Sequence, residues 1–379
     1  MKVLLVEDNE GDARLLRLHL AEAAGTSVQI ETAQRLTEAL AKLAAESFDA
    51  VLIDLGLPDS QGLETYRRLA QHSPNSAVVV MSGLEDELLA TAAVQLGAQD
   101  YLTKGNITPQ SLYNSLRYSM ERACRQQAER RLRAAHEEVR VAREIQQRLL
   151  PRQSPKLPGF DIAGATSFVS KLGGDFFDFV PMRDGRLGVV IADASGHGMG
   201  AALLMAQTRA YVRSLSSLDL EPCDIVTRAN GFLVSDMEDI LFVTLFMLQL
   251  DPRTSSFVCV SAGHNAYLFE QGDQVKVLRS TGLPLGVDDS ATFSQSRPTT
   301  LIPGQLLVLV TDGIPEATAA DSSLFGCKRM IEVVHRNRDQ PAEDVVAALL
   351  EASNEFSSTN NHRDDQTAIV VKCESLTRN

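Results

Sequence analysis

Apolar residues fall along the chain in three rhythms, and the rhythms divide it. Over residues 1–108, short apolar strand-like runs alternate with stretches of helical spacing. The runs at 2–6, 28–32, 50–54, 77–82 and 100–103 predict strands, and 12–24, 35–47, 62–72 and 86–97 predict helices. Strands that are apolar throughout and alternate with helices imply a parallel sheet covered on both faces. Residues 109–150 hold no glycine and no proline after Pro109, which predicts one long helix. From Leu132 its apolar positions step through Ala135, Val139 and Ala142, then Gln146 and Leu149, with Ile145 alongside. That three-four alternation is a coiled-coil seam, with Gln146 as the polar position that would fix its register, the alternative being an ordinary amphipathic helix lying on its own domain. Continued backwards it meets Ala128, Arg125 and Glu121, so the first half is weak.

Residues 151–379 alternate differently. Strand-like runs at 160–165, 186–192, 242–250, 256–261, 266–270, 274–278, 305–311 and 368–372 dominate, many joined by turn residues such as Gln271-Gly272-Asp273. Helical stretches at 199–218, 222–238, 328–338 and 342–357 interrupt them. Hairpins plus helices predict an α+β sandwich. The expected domains are 1–120, a helical coiled-coil linker at 121–150, and 151–379.

Composition narrows the class. The chain has 379 residues, 44% hydrophobic and 22% charged, which is globular. No apolar run approaches the roughly 20 residues a membrane helix needs, and Glu7 and Asp8 interrupt the first apolar segment too early for a signal peptide. Five cysteines without a CxxC fit reduced thiols and a cytoplasmic location, not a disulfide scaffold. The net charge is −13, and 109–150 is the only basic segment, with 9 Lys/Arg against 5 Asp/Glu. An acidic chain repels nucleic acid, so those arginines read as a solvated helix face. Neither a nucleic-acid nor a membrane partner is expected.

In the first domain Glu7 and Asp8 follow the first strand, Asp54 ends the third, Ser82 ends the fourth and Lys104 follows the fifth. All five collect at the carboxyl end of the sheet, where such folds bind ligands. Three carboxylates together call for a cation, and Mg²⁺ suits oxygen sites. An aspartate beside Mg²⁺ is a competent nucleophile toward a phosphoryl donor, with Ser82 and Lys104 placed to hold phosphoryl oxygens. The strings LLVEDN, LIDLGLPDSQGLE, VVMSG and GAQDYLTKG resemble the receiver domain of two-component response regulators, with its flavodoxin-like five-stranded parallel sheet, over about residues 1–120. The resemblance implies that Asp54 is the phospho-acceptor, that Glu7 and Asp8 hold Mg²⁺, that Ser82 and Tyr101 form a switch pair, and that a histidine kinase or phosphotransfer protein is the donor. Lys104-Gly105 replaces the usual Lys-Pro, so a shifted loop is expected there.

The third segment carries four carboxylate motifs: Gly-Gly-Asp175-Phe-Phe-Asp178, Asp193-Ala-Ser-Gly-His-Gly, Thr311-Asp312-Gly313 and Asp364-Asp365-Gln-Thr367. One Asp-Gly pair alone is a turn, but four motifs flanked by strand-like runs are how a rigid sheet presents oxygen ligands. Glycines let the backbone come close. All-oxygen sites favour Mg²⁺ or Mn²⁺, and two such ions activate water and clamp a phosphate. His197 falls beside these motifs; His264, in Ala-Gly-His-Asn, reads equally as a turn histidine. These strings, with the helix end AREIQQRLLP, resemble the PPM (2C-type) metal-dependent serine/threonine phosphatases of the bacterial SpoIIE-like stress-response and sporulation branch, over about residues 142–375. The resemblance implies that Asp175, Asp193, Asp312 and Asp364 are the catalytic metal-binding aspartates, with the Ala194 carbonyl a further ligand. Asp365 is the alternative to Asp364, Asp178 has no defined role, and Lys171 is a weak substitute for the basic phosphate-gripping residue of eukaryotic members.

The whole reads as a response regulator with a protein serine/threonine phosphatase output, dimeric through the linker. The resemblance implies a phosphorylated anti-sigma-factor antagonist of the STAS type as substrate. The alternative is a non-catalytic adaptor that uses the phosphatase fold as a protein-binding module.

Overall fold

The computed structural model describes residues 1–24, 27–83, 87–168, 172–236, 241–357 and 364–374. Two compact units divide the chain at 137/138, inside the expected linker.

In the first unit β1 (Lys2–Val6), β2 (Gln29–Ala33), β3 (Ala50–Asp54), β4 (Ala77–Ser82) and β5 (Asp100–Thr103) form one parallel sheet in the order β2-β1-β3-β4-β5. Helices α1 (Glu10–Ala24), α2 (Leu36–Ala45), α3 (Leu63–His72) and α4 (Glu87–Gln95) connect them. The continuous apolar runs follow from burial on both faces. Leu4, Val6, Val51 and Ile53 join one core cluster, while Val3, Leu5, Ala50 and Leu52 join the other. Helix α5 (Pro109–Leu149) begins by packing Leu112 and Leu116 into the second of these clusters.

The second unit is a sandwich of two antiparallel sheets. Its strands are β6 (Phe160–Ser167), β7 (Asp175–Pro181), β8 (Leu187–Ala194), β9 (Val243–Asp251), β10 (Ser256–Ala262), β11 (Ala266–Phe269), β12 (Val275–Leu278), β13 (Thr299–Thr300), β14 (Leu306–Val310) and β15 (Gln366–Cys373). One sheet runs β13-β10-β9-β8-β7 and the other β12-β11-β14-β15-β6. Helices α6 (Met199–Ser216) and α7 (Pro222–Asp236) cover the first sheet; α8 (Gly326–Asn337) and α9 (Ala342–Phe356) cover the second. The two-residue period of a strand decides which face each side chain takes. On β8, Val189 and Ile191 face the opposite sheet while Val190 and Ala192 face the helices. On β7, Phe177 and Phe179 face the opposite sheet and Phe176 the helices. Strand β7 is one the apolar pattern did not single out.

The seam on α5 is divided between environments. Leu132 is 57% exposed and Ala135 is exposed, whereas Val139, Ala142 and Leu149 are half-buried and Gln146 is 4% exposed. The polar seam position expected to set the register of a helix pair is instead buried inside the second unit. The same three-four spacing that makes a coiled coil also makes the apolar stripe of a helix lying on its own domain.

Candidate functional site

The carboxyl ends of β1 and β3 bring Glu7, Asp8 and Asp54 together, with one ligand oxygen from each lying within 4.8 Å of the others. Lys104, in the turn after β5, reaches the same point: its Nζ stands 2.5 Å from Asp54 Oδ2, 2.7 Å from Glu7 Oε2 and 3.2 Å from Asp12 Oδ2. Burial pulls the lysine toward the neutral form, but its bonds to Asp54 and Glu7 outweigh that and hold it charged. Glu7 is pushed up by burial, against the pull of Lys104. Ser82 is buried at the end of β4 and its hydroxyl has no hydrogen-bond partner, as befits a group waiting for a ligand oxygen. Tyr101 is half-buried on β5. The loop after Lys104 is a single 3₁₀ turn, Lys104–Asn106. Asp12 is the member the sequence did not reveal, because it lies on α1 and not at a strand end.

In the second unit the strand period explains the site. Asp175 continues the Phe177, Phe179 face of β7, and Asp193 continues the Val189, Ile191 face of β8, so both aspartates turn inward between the sheets. They are directly paired in the β7–β8 ladder. Asp178 falls on the opposite face, where Arg209 and Arg213 of α6 hold its carboxylate at 3.0 and 2.7 Å. It fastens the helix to the sheet and stands apart from the inward-facing aspartates. Asp312 follows β14 and Asp364-Asp365 precede β15, bringing the remaining motifs to the same end of the sandwich. Glycine permits the close approaches: a Cβ on Gly174 would overlap the Ala194 carbonyl oxygen, and one on Gly313 would overlap the Asp365 carbonyl.

The electrostatics follow from this crowding. Burial, then the charge of Asp193, pushes Asp175 well above the usual carboxylate range; hydroxyls of Thr311 and Thr367 pull it back. Asp193 is raised to about 7 by burial, then by Asp312 and Asp364. Asp312 is raised by burial, Asp364 and Glu316. The exposed Asp364 bears on Asp193 and Asp312, and the buried Asp365 on Asp175 and Asp193, so both members of that pair act on the site. These aspartates stand wider apart than the receiver-like trio, which among the described residues is the only set of three within 4.8 Å. A cavity of about 750 Å³ opens on Asp364 and Asp365 and one of about 380 Å³ on Asp193 and Asp312, and among the described residues no lysine or arginine lines either. Carboxylates buried and crowded on one another fit divalent cations, which favour oxygen donors.

His197 is exposed on the rim of the larger cavity. His264 is buried, its Nδ1 3.0 Å from Thr244 Oγ1, and burial lowers it to about 4, leaving a neutral ring that ties strands together. Lys171 lies outside the described residues. Sequence reasoning missed the role of Gln146, whose amide bonds both backbone groups of Gly173, and that of the two threonines on Asp175.

The family described as Stage II sporulation protein E (SpoIIE) matches residues 183–374, and the response regulator receiver domain matches residues 3–117. Phosphoserine phosphatase RsbU of Bacillus subtilis is 24% identical over 237 residues, 62% of this chain and 70% of RsbU. The KDP operon transcriptional regulatory protein KdpE of Escherichia coli is 38% identical over 102 residues, 27% of this chain and 44% of KdpE. The chain thus spans less than half of that relative. Among solved structures, the SiaA-PP2C domain of Pseudomonas aeruginosa superposes with a TM-score of 0.57 at 20% identity, over 64% of this chain and 98% of that one. That likeness carries the fold of the second unit, and the first unit's sheet is the receiver fold. With half its length matched, the chain belongs to the SpoIIE family and carries a response regulator receiver domain ahead of that region.

Proposed function

We propose that this protein is a two-component response regulator whose output is a metal-dependent protein serine/threonine phosphatase. The observation that carries the reading is the convergence of Asp175, Asp193, Asp312 and Asp364 on one end of a sandwich, with their charge uncompensated by any described lysine or arginine. These four, with the Ala194 carbonyl, would hold Mn²⁺ or Mg²⁺. Cations bound there lower the pKa of water and offset the charge of a phosphate ester. The protein's own part is to fix the carboxylates on strand ends, exclude bulk water on the sheet side, and leave an open cavity for a phosphorylated side chain. An adaptor without catalysis would have no need to keep these carboxylates crowded and desolvated.

In the receiver, Asp54 would accept the phosphoryl group from a histidine kinase or phosphotransfer protein. Glu7 and Asp8, with Asp54, would hold Mg²⁺. Lys104 and Ser82 would meet the phosphoryl oxygens, and Tyr101 would turn with Ser82. The domains are read as 1–120, a linker over 121–150, and 151–379, in a cytoplasmic homodimer paired through the exposed part of the linker. Among the described residues no helix is long and apolar enough to cross a membrane. The name of RsbU and the family match favour a phosphoserine protein as substrate, for which an anti-sigma-factor antagonist of the STAS type is our choice. The test is Mn²⁺-dependent phosphate release from phosphorylated STAS proteins of the same genome, with and without acetyl phosphate. Release only from unrelated phosphoproteins would refute the substrate; release from none would refute the enzyme.

A further inference from the structure

The motifs Thr311-Asp312-Gly313 and Asp364-Asp365-Gln366-Thr367 contain two threonines to which the aspartate chemistry gives no task. Both are fully buried. Continuing the inward face of Leu307 and Leu309 on β14, and of Ile369 and Val371 on β15, their side chains turn between the sheets. There both hydroxyls donate to one atom, Oδ2 of Asp175: Thr311 Oγ1 at 2.6 Å and Thr367 Oγ1 at 2.8 Å.

A hydroxyl has one proton, so the network has a direction. Thr367 donates to Asp175 and therefore accepts from Thr166 Oγ1, 3.0 Å away. Thr311 donates to Asp175 and accepts from the Thr367 backbone N–H at 2.9 Å. Every proton points toward the carboxylate. Oδ2 is occupied by two donors from the opposite sheet, while neither hydroxyl bonds Oδ1. The carboxylate is thereby fixed about its terminal torsion, which is otherwise broad.

We propose that Thr311 and Thr367 are positioning residues for the cation site. They hold the Asp175 carboxylate oriented so that a single oxygen is presented to a divalent cation, and they set cation affinity without touching the ion. The proposal rests on the reading of Asp175 as a metal ligand. Hydrogen bonds of this kind behind a ligand change metal affinity by about 10- to 100-fold.

The test is calorimetric titration of Mn²⁺ into the full chain carrying Asp8→Asn and Asp54→Asn, which removes the receiver's cation pocket. Thr311→Val and Thr367→Val should each weaken Mn²⁺ binding at least about tenfold, and Thr→Ser at either position should restore it. Because valine can disturb folding, Thr→Ser and Thr→Ala form a second pair that differs in the hydroxyl; serine should bind at least about tenfold more tightly than alanine. Equal affinity within that pair would overturn the proposal. Asp175→Asn should lose the same binding event. If it binds as its parent does, the reading of Asp175 as a ligand fails, an outcome distinct from threonine variants that bind normally while Asp175→Asn does not.

Discussion

The side-chain amide of Gln146 grips both backbone groups of Gly173: it donates to the carbonyl at 2.6 Å and accepts from the N–H at 3.2 Å. The end of a helix is thus fastened two residues ahead of Asp175, and all of these groups are buried. Gln146→Ala leaves the Gly173 N–H and C=O without partners, and each unsatisfied buried group costs about 1–3 kcal/mol. We expect the second unit to lose about 2–4 kcal/mol in urea unfolding. Phosphatase activity should fall at least about tenfold even at temperatures where the variant is folded, as expected when a catalytic group loses its placement. Wild-type stability and rate would show the amide to be idle.

The burial of Gln146 decides which seam positions can pair two chains. Val139 lines the cavity at Asp364 and is not a free seam position. Leu132 is the large apolar seam residue left exposed. Leu132→Asp is expected to shift a dimer toward monomer in light scattering and to leave Mn²⁺-dependent hydrolysis intact, whereas Val139→Asp impairs hydrolysis itself. A Leu132→Asp protein with unchanged mass would remove the linker from the dimer.

Crowding of the aspartates has a pH signature. Asp193 moves from an ordinary 3.8 to about 7 in the fold, and Asp175 moves in the same direction, so the native state holds protons that the unfolded chain has released. The contribution of these protons to metal-free stability is therefore fully present below about pH 4 and is lost as pH rises through about 7. In EDTA the second unit's Tm should be lower at pH 8 than at pH 5.5, and Asp193→Asn should flatten the difference. Mn²⁺ needs the deprotonated ligands, so its stabilising effect should grow with pH. A Tm in EDTA that rises from pH 5.5 to 8 and is unaffected by Asp193→Asn would contradict this electrostatic account.

Lys104 closes the receiver pocket on Asp54. Acetyl phosphate with Mg²⁺ should add one phosphoryl group to the wild type and none to Asp54→Ala, as read by intact mass. Lys104→Ala should still accept the group through Asp54, but fail to pass the change onward to the phosphatase. Equal phosphorylation of wild type and Asp54→Ala would move the acceptor elsewhere.

Much of this was legible in one dimension, for reasons that residues make plain. Lys2–Val6, Ala50–Asp54 and Ala77–Ser82 are largely apolar runs buried on both faces, Asp100–Thr103 is a half-buried edge strand of mixed residues, and the predicted bounds of all four coincide with the observed strands. The aspartates at strand ends were legible because the strands were. Strand β7 was not, because Asp175 and Asp178 interrupt its apolar run with charge; the charges are accommodated by the threonines on one face and by arginines on the other. Gln146 was misread because one spacing serves both a helix pair and a helix on its own domain. Thr311 and Thr367 stood inside quoted motifs, but their partner lies 136 and 192 residues away, and only the packing of two sheets brings them to it.

Asp193 is the residue on which the reading turns, since it pairs with Asp175 in the ladder and feels Asp312 and Asp364. The most direct measurement is hydrolysis of a phosphoserine protein by the full chain in Mn²⁺, comparing wild type with Asp193→Asn whose fold is verified by circular dichroism. Loss of a charge from a shared cation site should lower the rate at least about a hundredfold, with the product of the wild-type reaction being inorganic phosphate and an intact serine. A folded Asp193→Asn that hydrolyses the substrate at the wild-type rate would contradict the assignment of this site as the phosphatase centre.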